Sequence, residues 1–476
     1  MNSFATTENS RAFVLAVEKT IRRHNMFAPG ALVLAGVSGG PDSVALLHVL
    51  ASIAHRWSLR LHVACLNHNL RDAAKDETRF VADLCERLSI PCEIGSRDVA
   101  SYQSSHHMSV QQAARELRYR FFEKTAARYS ADKIALGHHC MDNAESVLMN
   151  LLRGSGPLGL SGIPPVRDNR YVRPLIDMTP DEILGFLKIN SIEYMVDESN
   201  KSRKYLRNRI RHELICDLER EYNPNLIRHL HNLSSILREE EDFWEKTVTG
   251  IFHDLTVIKK EDFTGLDLAG LRNLHPALAK RVIRKGIMEA KGDLNRIEFK
   301  HIEAIQGLVT CLNPSRAIDM PGGVCVMREP EMLVFCHDRP GDTAAYCYYI
   351  DDIGKEVYIR EVNALIKSSL SQPDQSLVRE SGPCCVFLDL DTVRFPLTVR
   401  NFLSGDRFRP IGMSGTRKLK DFFIDEKLPI RLRRLCPIVL SRETIIWIGG
   451  HRLSDQVKIR SRTRKVLKLE LVGYRL

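Results

Sequence analysis

The sequence predicts an α/β protein: a parallel sheet wrapped by helices at the N-terminal end, then a helical middle domain and a β-rich basic C-terminal domain. Three observations carry this. Short β-rich runs alternate with helix-period segments through the first 150 residues. Helical periodicity dominates residues 213–310. Beyond them short β-rich pieces return, and positive charge gathers at the end of the chain.

Taken in order, residues 31–37 (Ala-Leu-Val-Leu-Ala-Gly-Val) are an apolar run suited to a buried parallel strand. A helix is expected over 42–56, then strand 59–66, helix 74–88, strand 91–95, helix 109–129, strand 132–137 and helix 141–153. Residues 154–180 hold Gly154, Gly156, Pro157, Gly159, Gly162, Pro164, Pro165 and Pro174. That density of chain breakers reads as loop rather than core, a lid or substrate-facing segment. A short αβ unit follows, with helix 180–190 and a strand-like 193–196. Residues 201–212 then carry six Lys and Arg and no acid. Helices are expected over 274–288 and 299–308, two strands around a turn within 319–335, and β-rich pieces over 345–400. The end combines strands 444–448 and 466–471 with a short helix 419–425. The expected domains are 1–216, 217–345 and 346–476, in keeping with the 476-residue length.

With 44% hydrophobic and 27% charged residues the chain has ample material for its cores, and no apolar run approaches a membrane span. Residues 12–17 are apolar but closed by Glu18-Lys19, too short for a signal-peptide core, so a cytoplasmic protein without a membrane partner is expected. The twelve cysteines contain no Cys-x-x-Cys, which removes the usual spacing for zinc, an iron–sulfur cluster or a redox dithiol. Residues 400–476 hold 19 Lys and Arg against 7 Asp and Glu, a net +12 where the whole chain carries +10. A polyanion, RNA or DNA, is therefore expected at this end.

The first strand empties into Ser38-Gly39-Gly40-Pro41-Asp42-Ser43, which opens a helix. Glycines let the backbone approach an anion, free N–H groups point at it, and the helix dipole adds partial positive charge. The turn therefore has the makings of a phosphate cradle. It lacks the Lys-Ser/Thr ending of the Walker loop, which argues against γ-phosphate transfer. The plainer alternative is an ordinary turn with Ser and Asp as helix caps. Ligands of such sheets bind beyond the carboxyl ends of the strands. There the loop should meet Leu66-Asn-His-Asn-Leu-Arg71 and Gly137-His-His-Cys-Met-Asp-Asn-Ala-Glu145.

The six residues resemble the SGGxDS loop of the N-type ATP pyrophosphatases, whose PP-loop fold is adenine nucleotide alpha-hydrolase-like. The resemblance implies that pyrophosphate sits in the turn while AMP passes to a substrate oxygen. It also implies hydroxyl donors at Ser38 and Ser43, close approach at Gly39 and Gly40, and Mg²⁺ held by Asp42. Over nearly its whole length the chain is similar to the bacterial tRNA(Ile)-lysidine synthetases. The matching motifs are the 38–43 loop, Asn67-His-Asn-Leu-Arg71, Ala114-Arg-Glu-Leu-Arg-Tyr119, Gly137-His-His with Glu145, and Arg153-Gly-Ser-Gly-Pro-Leu-Gly-Leu160. They continue through Arg173-Pro-Leu175, Asp197-Glu-Ser-Asn200, Arg207-Asn-Arg-Ile-Arg-His212, Gly405-Asp-Arg-Phe-Arg-Pro410 and Lys418-Leu-Lys-Asp-Phe-Phe423.

This resemblance implies ATP and Mg²⁺ as cofactors, and L-lysine and tRNA(Ile) with a CAU anticodon as partners. The implied chemistry has two steps at the wobble cytidine. The C2 carbonyl oxygen takes AMP and pyrophosphate leaves; the lysine side-chain amine then attacks C2 and AMP departs. The product, lysidine, pairs with A instead of G and switches decoding from AUG to AUA. A homodimer is compatible with the sequence.

The lysine amine, with an unperturbed pKa of about 10.4, must lose a proton before attacking. Asp142 and Glu145, three apart on one helix, lie on nearly one face and are the candidates to orient and deprotonate it. Acids in a first helical turn also simply suit the dipole. The family often carries two acidic or amide residues where this chain has Met141 and Asp142, so Asp142 and Glu145 are left to do the work. His138 is expected to face the nucleotide or lysine. Adjacent histidines on a strand end point apart, so His138 and His139 should not chelate one ion. Arg115, on a helix, is placed either to reach a phosphate or to make a surface salt bridge. Arg207 and Arg211 suit RNA phosphate or the activated base, and Cys140 suits packing. A tRNA thiolase is weakened by the missing Cys-x-x-Cys, and an amidotransferase by Asn2 where it needs cysteine. A non-catalytic RNA-binding protein is weakened by the full set of polar loop residues.

Overall fold

Strand β1 (Leu32–Gly36) shows how the first sheet is made. Val33 and Ala35 enter one apolar cluster and Leu34 the other, the alternation a pleated strand imposes. The computed structural model describes residues 8–67, 74–196, 206–311, 316–337, 345–372 and 381–474. They divide into two compact units, Met1–Trp244 and Glu245–Leu476.

In the first unit β1 is joined by β2 (Arg60–Asn67), β3 (Cys92–Ser96), β4 (Lys133–Ala135), β5 (Val166–Arg167) and β6 (Tyr171–Val172). The sheet order is β3-β2-β1-β4-β6-β5, parallel except for the β5–β6 pair. The helices are α1 (Glu8–Arg23), α2 (Pro41–Ala54), α3 (Ala74–Leu88), α4 (Val99–His106), α5 (Val110–Arg128), α6 (Cys140–Leu152), α7 (Pro157–Leu160) and α8 (Pro180–Ile189). Helices α1, α2, α3 and α8 bury their apolar faces in one cluster, while Phe121 and Phe122 of α5 pack with Leu34, Ala64 and Ile134 in the other. Residues such as Leu46 and Leu50 are fully buried there, each burial contributing roughly 1.5–3 kcal/mol. These two layers hold the carboxyl ends of β1, β2 and β4 in fixed relation.

Two expectations for this unit are corrected, and one helix is added. Residues 154–180 are not loop throughout: β5 and β6 join the sheet, and Tyr171, Val172, Arg173, Leu175 and Ile176 are buried. Asp168 and Asn169 both take positive φ to turn the chain between the two strands, and the Gly/Pro punctuation concealed that hairpin. Residues 193–196 form no strand; instead the Met195 N–H donates to the Gly39 carbonyl at 2.9 Å. Helix α4, capped by Asp98, was not expected.

In the second unit a five-stranded antiparallel sheet has the order β7-β8-β11-β10-β9. Its strands are β7 (Thr256–Lys259), β8 (Phe263–Asp267), β9 (Arg316–Asp319), β10 (Val324–Arg328) and β11 (Met332–His337). The expectation of helix through 213–310 fails at β7 and β8, where β-branched Thr256, Val257, Ile258 and Thr264 favour the pleat. Helices Pro276–Lys291 and Phe299–Thr310 cover the sheet through Val282, Ile283, Ile305 and Phe335. The remainder is β-rich, with a five-stranded and a four-stranded antiparallel sheet around fully buried Trp447. Strands Thr444–Ile448 and Val466–Val472 and helix Leu419–Asp425 fall where expected.

Candidate active site

The turn from β1 to α2 is shaped by its own residues. Gly39 has φ +88°, a conformation that side chains resist. Gly40 caps α2 without a side-chain bond, and Pro41 begins the helix. The Ser43 hydroxyl donates to the Gly40 carbonyl at 2.9 Å and accepts the Ser38 N–H at 3.1 Å. The two serine hydroxyls lie 3.3 Å apart. Gly137 lets the chain pass close to the loop: a Cβ there would stand 3.0 Å from the Asp42 backbone.

A cavity of about 490 Å³ opens over this turn, lined by Ser38, Gly40, Pro41, Asp42 and Ser43 and by Asn67, Arg118, His138, Met195 and Arg211. It lies at the carboxyl ends of β1, β2 and β4, where open α/β sheets take their ligands. Helix α2 offers it uncapped first-turn N–H groups and the positive end of its dipole. The His138 Nδ1 is buried without a partner. Burial, reinforced by Arg173, Arg207 and Arg115 against the pull of Asp142, lowers its pKa to about 3. The ring is therefore neutral at pH 7, ready to bond a ligand without adding charge.

His139 points elsewhere, as adjacent strand-end residues should. It caps α6, its Nδ1 accepting the Met141 N–H at 3.2 Å, which leaves the proton on Nε2. That nitrogen lies 3.6 Å from both Asp42 and Asp142. Burial works to lower its pKa, but the two carboxylates outweigh it and the pKa is raised.

Asp142 and Glu145 do share one face, and both are buried. Asp142 accepts the His139 N–H at 3.0 Å. The arginines at 207 and 211 straddle the acids: Arg207 bonds Glu145 at 2.5 Å and Asp142 at 2.8 Å. Arg211 bonds Asp142 at 2.9 Å and pairs with Glu145 as well. Burial would raise the Asp142 pKa, yet His139, His138, Arg207 and Arg211 prevail and hold it at about 2. Arg207 and Arg211 sit where α-helix Leu206–Arg209 passes into a π-helical turn, Ile210–Leu214, a widening that recurs at functional sites. On its other side α6 is tied to helix Leu226–Leu255: the Asn143 amide donates to Ser234 at 2.6 Å and accepts the Ile163 N–H at 2.7 Å.

Arg115 does not line the cavity; its guanidinium lies over the Tyr119 ring at 5.0 Å. Arg118, which sequence reasoning passed over, does line it. Its signal was the second arginine of the Ala-Arg-Glu-Leu-Arg-Tyr run, one helical turn from the first. His139 was likewise missed in its contact role. Cys140 is buried and its pKa is pushed up to about 12 by that burial, a packed thiol. Residues 68–71 and the Asp197-Glu-Ser-Asn200 motif lie outside the described residues.

Among the described residues no group of three His, Cys, Asp or Glu is arranged to hold a metal. Asp42, about one-third exposed at the cavity wall, offers a single hard oxygen donor. That fits Mg²⁺, which is commonly held by one or two carboxylates together with substrate phosphates and water.

A parallel sheet with a phosphate-sized turn and an acid–arginine cluster beside it defines an ATP-using enzyme of the PP-loop class. A PP-loop domain family matches residues 14–218, and the TilS substrate C-terminal domain family matches residues 397–470. The tRNA(Ile)-lysidine synthase of Caldanaerobacter subterraneus subsp. tengcongensis is 33% identical over 457 residues, covering 95% of this chain and 96% of that one. That of Geobacter sulfurreducens is 34% identical over 467 residues, covering 97% and 98%. The chain belongs to the tRNA(Ile)-lysidine synthase family.

Proposed function

We propose that the protein ligates L-lysine to C2 of the wobble cytidine of tRNA(Ile) with a CAU anticodon, through an adenylated tRNA, giving lysidine, AMP and diphosphate. One observation supports it above the others. The cavity over loop 38–43 and the Asp142–Glu145 pair share a boundary, with Arg211 lining the first and bonding the second.

In the first step the cytosine C2 oxygen attacks the α-phosphorus of ATP and the bond to the β-phosphate oxygen breaks. Loop 38–43 holds the departing pyrophosphate through backbone N–H groups and the Ser38 and Ser43 hydroxyls. Asp42 is the ligand for Mg²⁺, which when bound neutralises phosphate charge. Neutral His138 and cationic Arg118 face the same space, so they orient the nucleotide and offset its charge. In the second step the lysine amine attacks C2, the C2–O bond breaks and AMP leaves. Asp142 and Glu145 hold the ammonium and take its proton. With both arginines in place Asp142 is too acidic for this; its basicity rises once Arg207 and Arg211 turn to RNA phosphate. Arg115 acts at the RNA side of α5.

The basic end of the chain, including exposed Arg460, Arg462, Arg464 and Lys465, binds the tRNA backbone, and the reaction belongs in the cytoplasm with its substrates. Among the described residues no helix is long and apolar enough to cross a membrane. The test is steady-state pyrophosphate release from ATP with tRNA and lysine supplied or withheld, together with the mass of the modified nucleoside. Sustained release that needs both, and a cytidine heavier by one lysine less water, is expected. Release with neither substrate, or an unmodified nucleoside, would overturn the assignment.

A further inference from the structure

Helix α5 serves two cavities. Arg118 lines the one over loop 38–43, while Arg115, Glu116 and Tyr119 line a second of about 640 Å³ with Arg167, Asp168 and Tyr171. We propose that this second cavity receives an unstacked nucleobase of the RNA, next to the one that reacts. The inference rests on the RNA substrate proposed above.

The cavity wall is made of flat groups in contact. The Arg167 guanidinium lies 4.8 Å from the Tyr119 ring centre and 4.4 Å from that of Tyr171. The two rings are 5.1 Å apart. Tyr171 is buried, and its hydroxyl donates to Glu123 at 2.5 Å, which fixes the inner end. Arg115, exposed at the outer end, lies over Tyr119 and has no carboxylate partner among the described residues. The two rings are tilted by 59° and serve as backing for the guanidinium planes of Arg115 and Arg167, on which a base can stack.

Charge decides which part of the RNA fits. Two arginines line the cavity, but so do Glu116, Glu123 and Asp168. Each of these acids is already met by a guanidinium, Glu116 by Arg120, Glu123 by Arg170 and Asp168 by Arg167, so the wall is close to neutral and offers a phosphate little net attraction. A neutral ring would find faces to stack on and carboxylates to accept its exocyclic N–H groups. The chemistry also creates the need, because drawing one base into the first cavity strips its neighbour of a stacking partner. A protein platform one helix face away replaces it.

The experiment uses the full chain and an anticodon stem-loop RNA carrying 2-aminopurine beside the target cytidine. RNA binding should quench the fluorophore in the wild type, and Arg167→Ala should relieve the quench. The RNA KM of Arg167→Ala should rise roughly 5- to 150-fold, the span of one base-stacking contact, while kcat and the KM for ATP and lysine stay put. Arg167→Lys, which keeps charge and discards the plane, should recover less than half of the loss, and both variants should melt with the wild type. Unchanged RNA KM and quench would overturn the proposal. So would full rescue by lysine, or a change confined to lysine KM, which would mark an amino-acid site. Absence of any RNA-dependent turnover in the wild type would sink the parent reading, while the fluorescence still decides the pocket.

Discussion

Around loop 38–43 the polar groups bond one another lightly and face open space, whereas Asp142 and Glu145 are each gripped by two guanidinium groups. The Ser38–Ser43 contact at 3.3 Å is a neutral one that phosphate oxygens can replace. The acid side pairs two buried carboxylates with two half-buried guanidinium groups, and removing an arginine would leave a carboxylate short of partners in a poor solvent. The nucleotide side can thus fill without rearrangement, and the acid side can only exchange one cation for another. Under the proposed function, the lysine ammonium would enter where an arginine leaves.

The sharpest way to break this contrast is Asp42→Ala. It should cut tRNA-dependent pyrophosphate release by about 100-fold or more and leave RNA affinity in filter binding unchanged. A parallel loss of RNA binding would take Asp42 out of the nucleotide side. Next comes Glu145→Gln, which leaves Arg207 and Arg211 short of a buried counter-charge. Urea unfolding should show a loss of about 1–3 kcal/mol, and an unmoved midpoint would mean the cluster holds nothing together.

The most gradual effect is in the pH dependence. His138 is neutral in the folded protein down to about pH 3, while the unfolded chain protonates it below about 6.5. Its contribution to stability is therefore complete above 6.5 and falls as pH drops toward 3. Asp142, held at about 2, adds a loss only below its unfolded value near 3.9. His139 runs the other way, its contribution present below 6.5 and lost as pH rises through its raised pKa. Urea midpoints measured from pH 6.5 to 4 should slope less in His138→Gln than in the wild type, by up to about 1.4 kcal/mol per pH unit. Equal slopes would show that folded His138 takes the proton.

The parallel sheet and its loop were legible because long apolar runs and helix periods leave little choice: β1, α2, α3 and α5 fall within a residue or two of expectation. The hairpin at Asp168-Asn169 was not, since strands of two residues carry no readable period. The ends of β7 and β8 were lost in the helical pattern around them. In the candidate site, residue types at motif positions pointed to His138, Asp142 and Glu145 but not to the ion pairs the two acids make. That Arg207 and Arg211 would close on acids more than sixty positions away is a tertiary fact, and only spatial neighbours disclose it. Arg118 was visible in principle, being one turn from Arg115, while the choice between them depends on which side of α5 meets which cavity.

Glycine 162 shows where inherited variation would bite. Its neighbours Gly154 and Gly156 have open space around them, and an alanine at Gly156 would touch nothing. At Gly162, with φ +67°, a single added methyl would land 2.1 Å from the Asn143 side-chain oxygen, the atom that holds the Ile163 N–H. Expelling that amide would also release Ser234 and loosen the helix bearing Asp142 and Glu145. A substitution that looks trivial on paper would then register as lost activity.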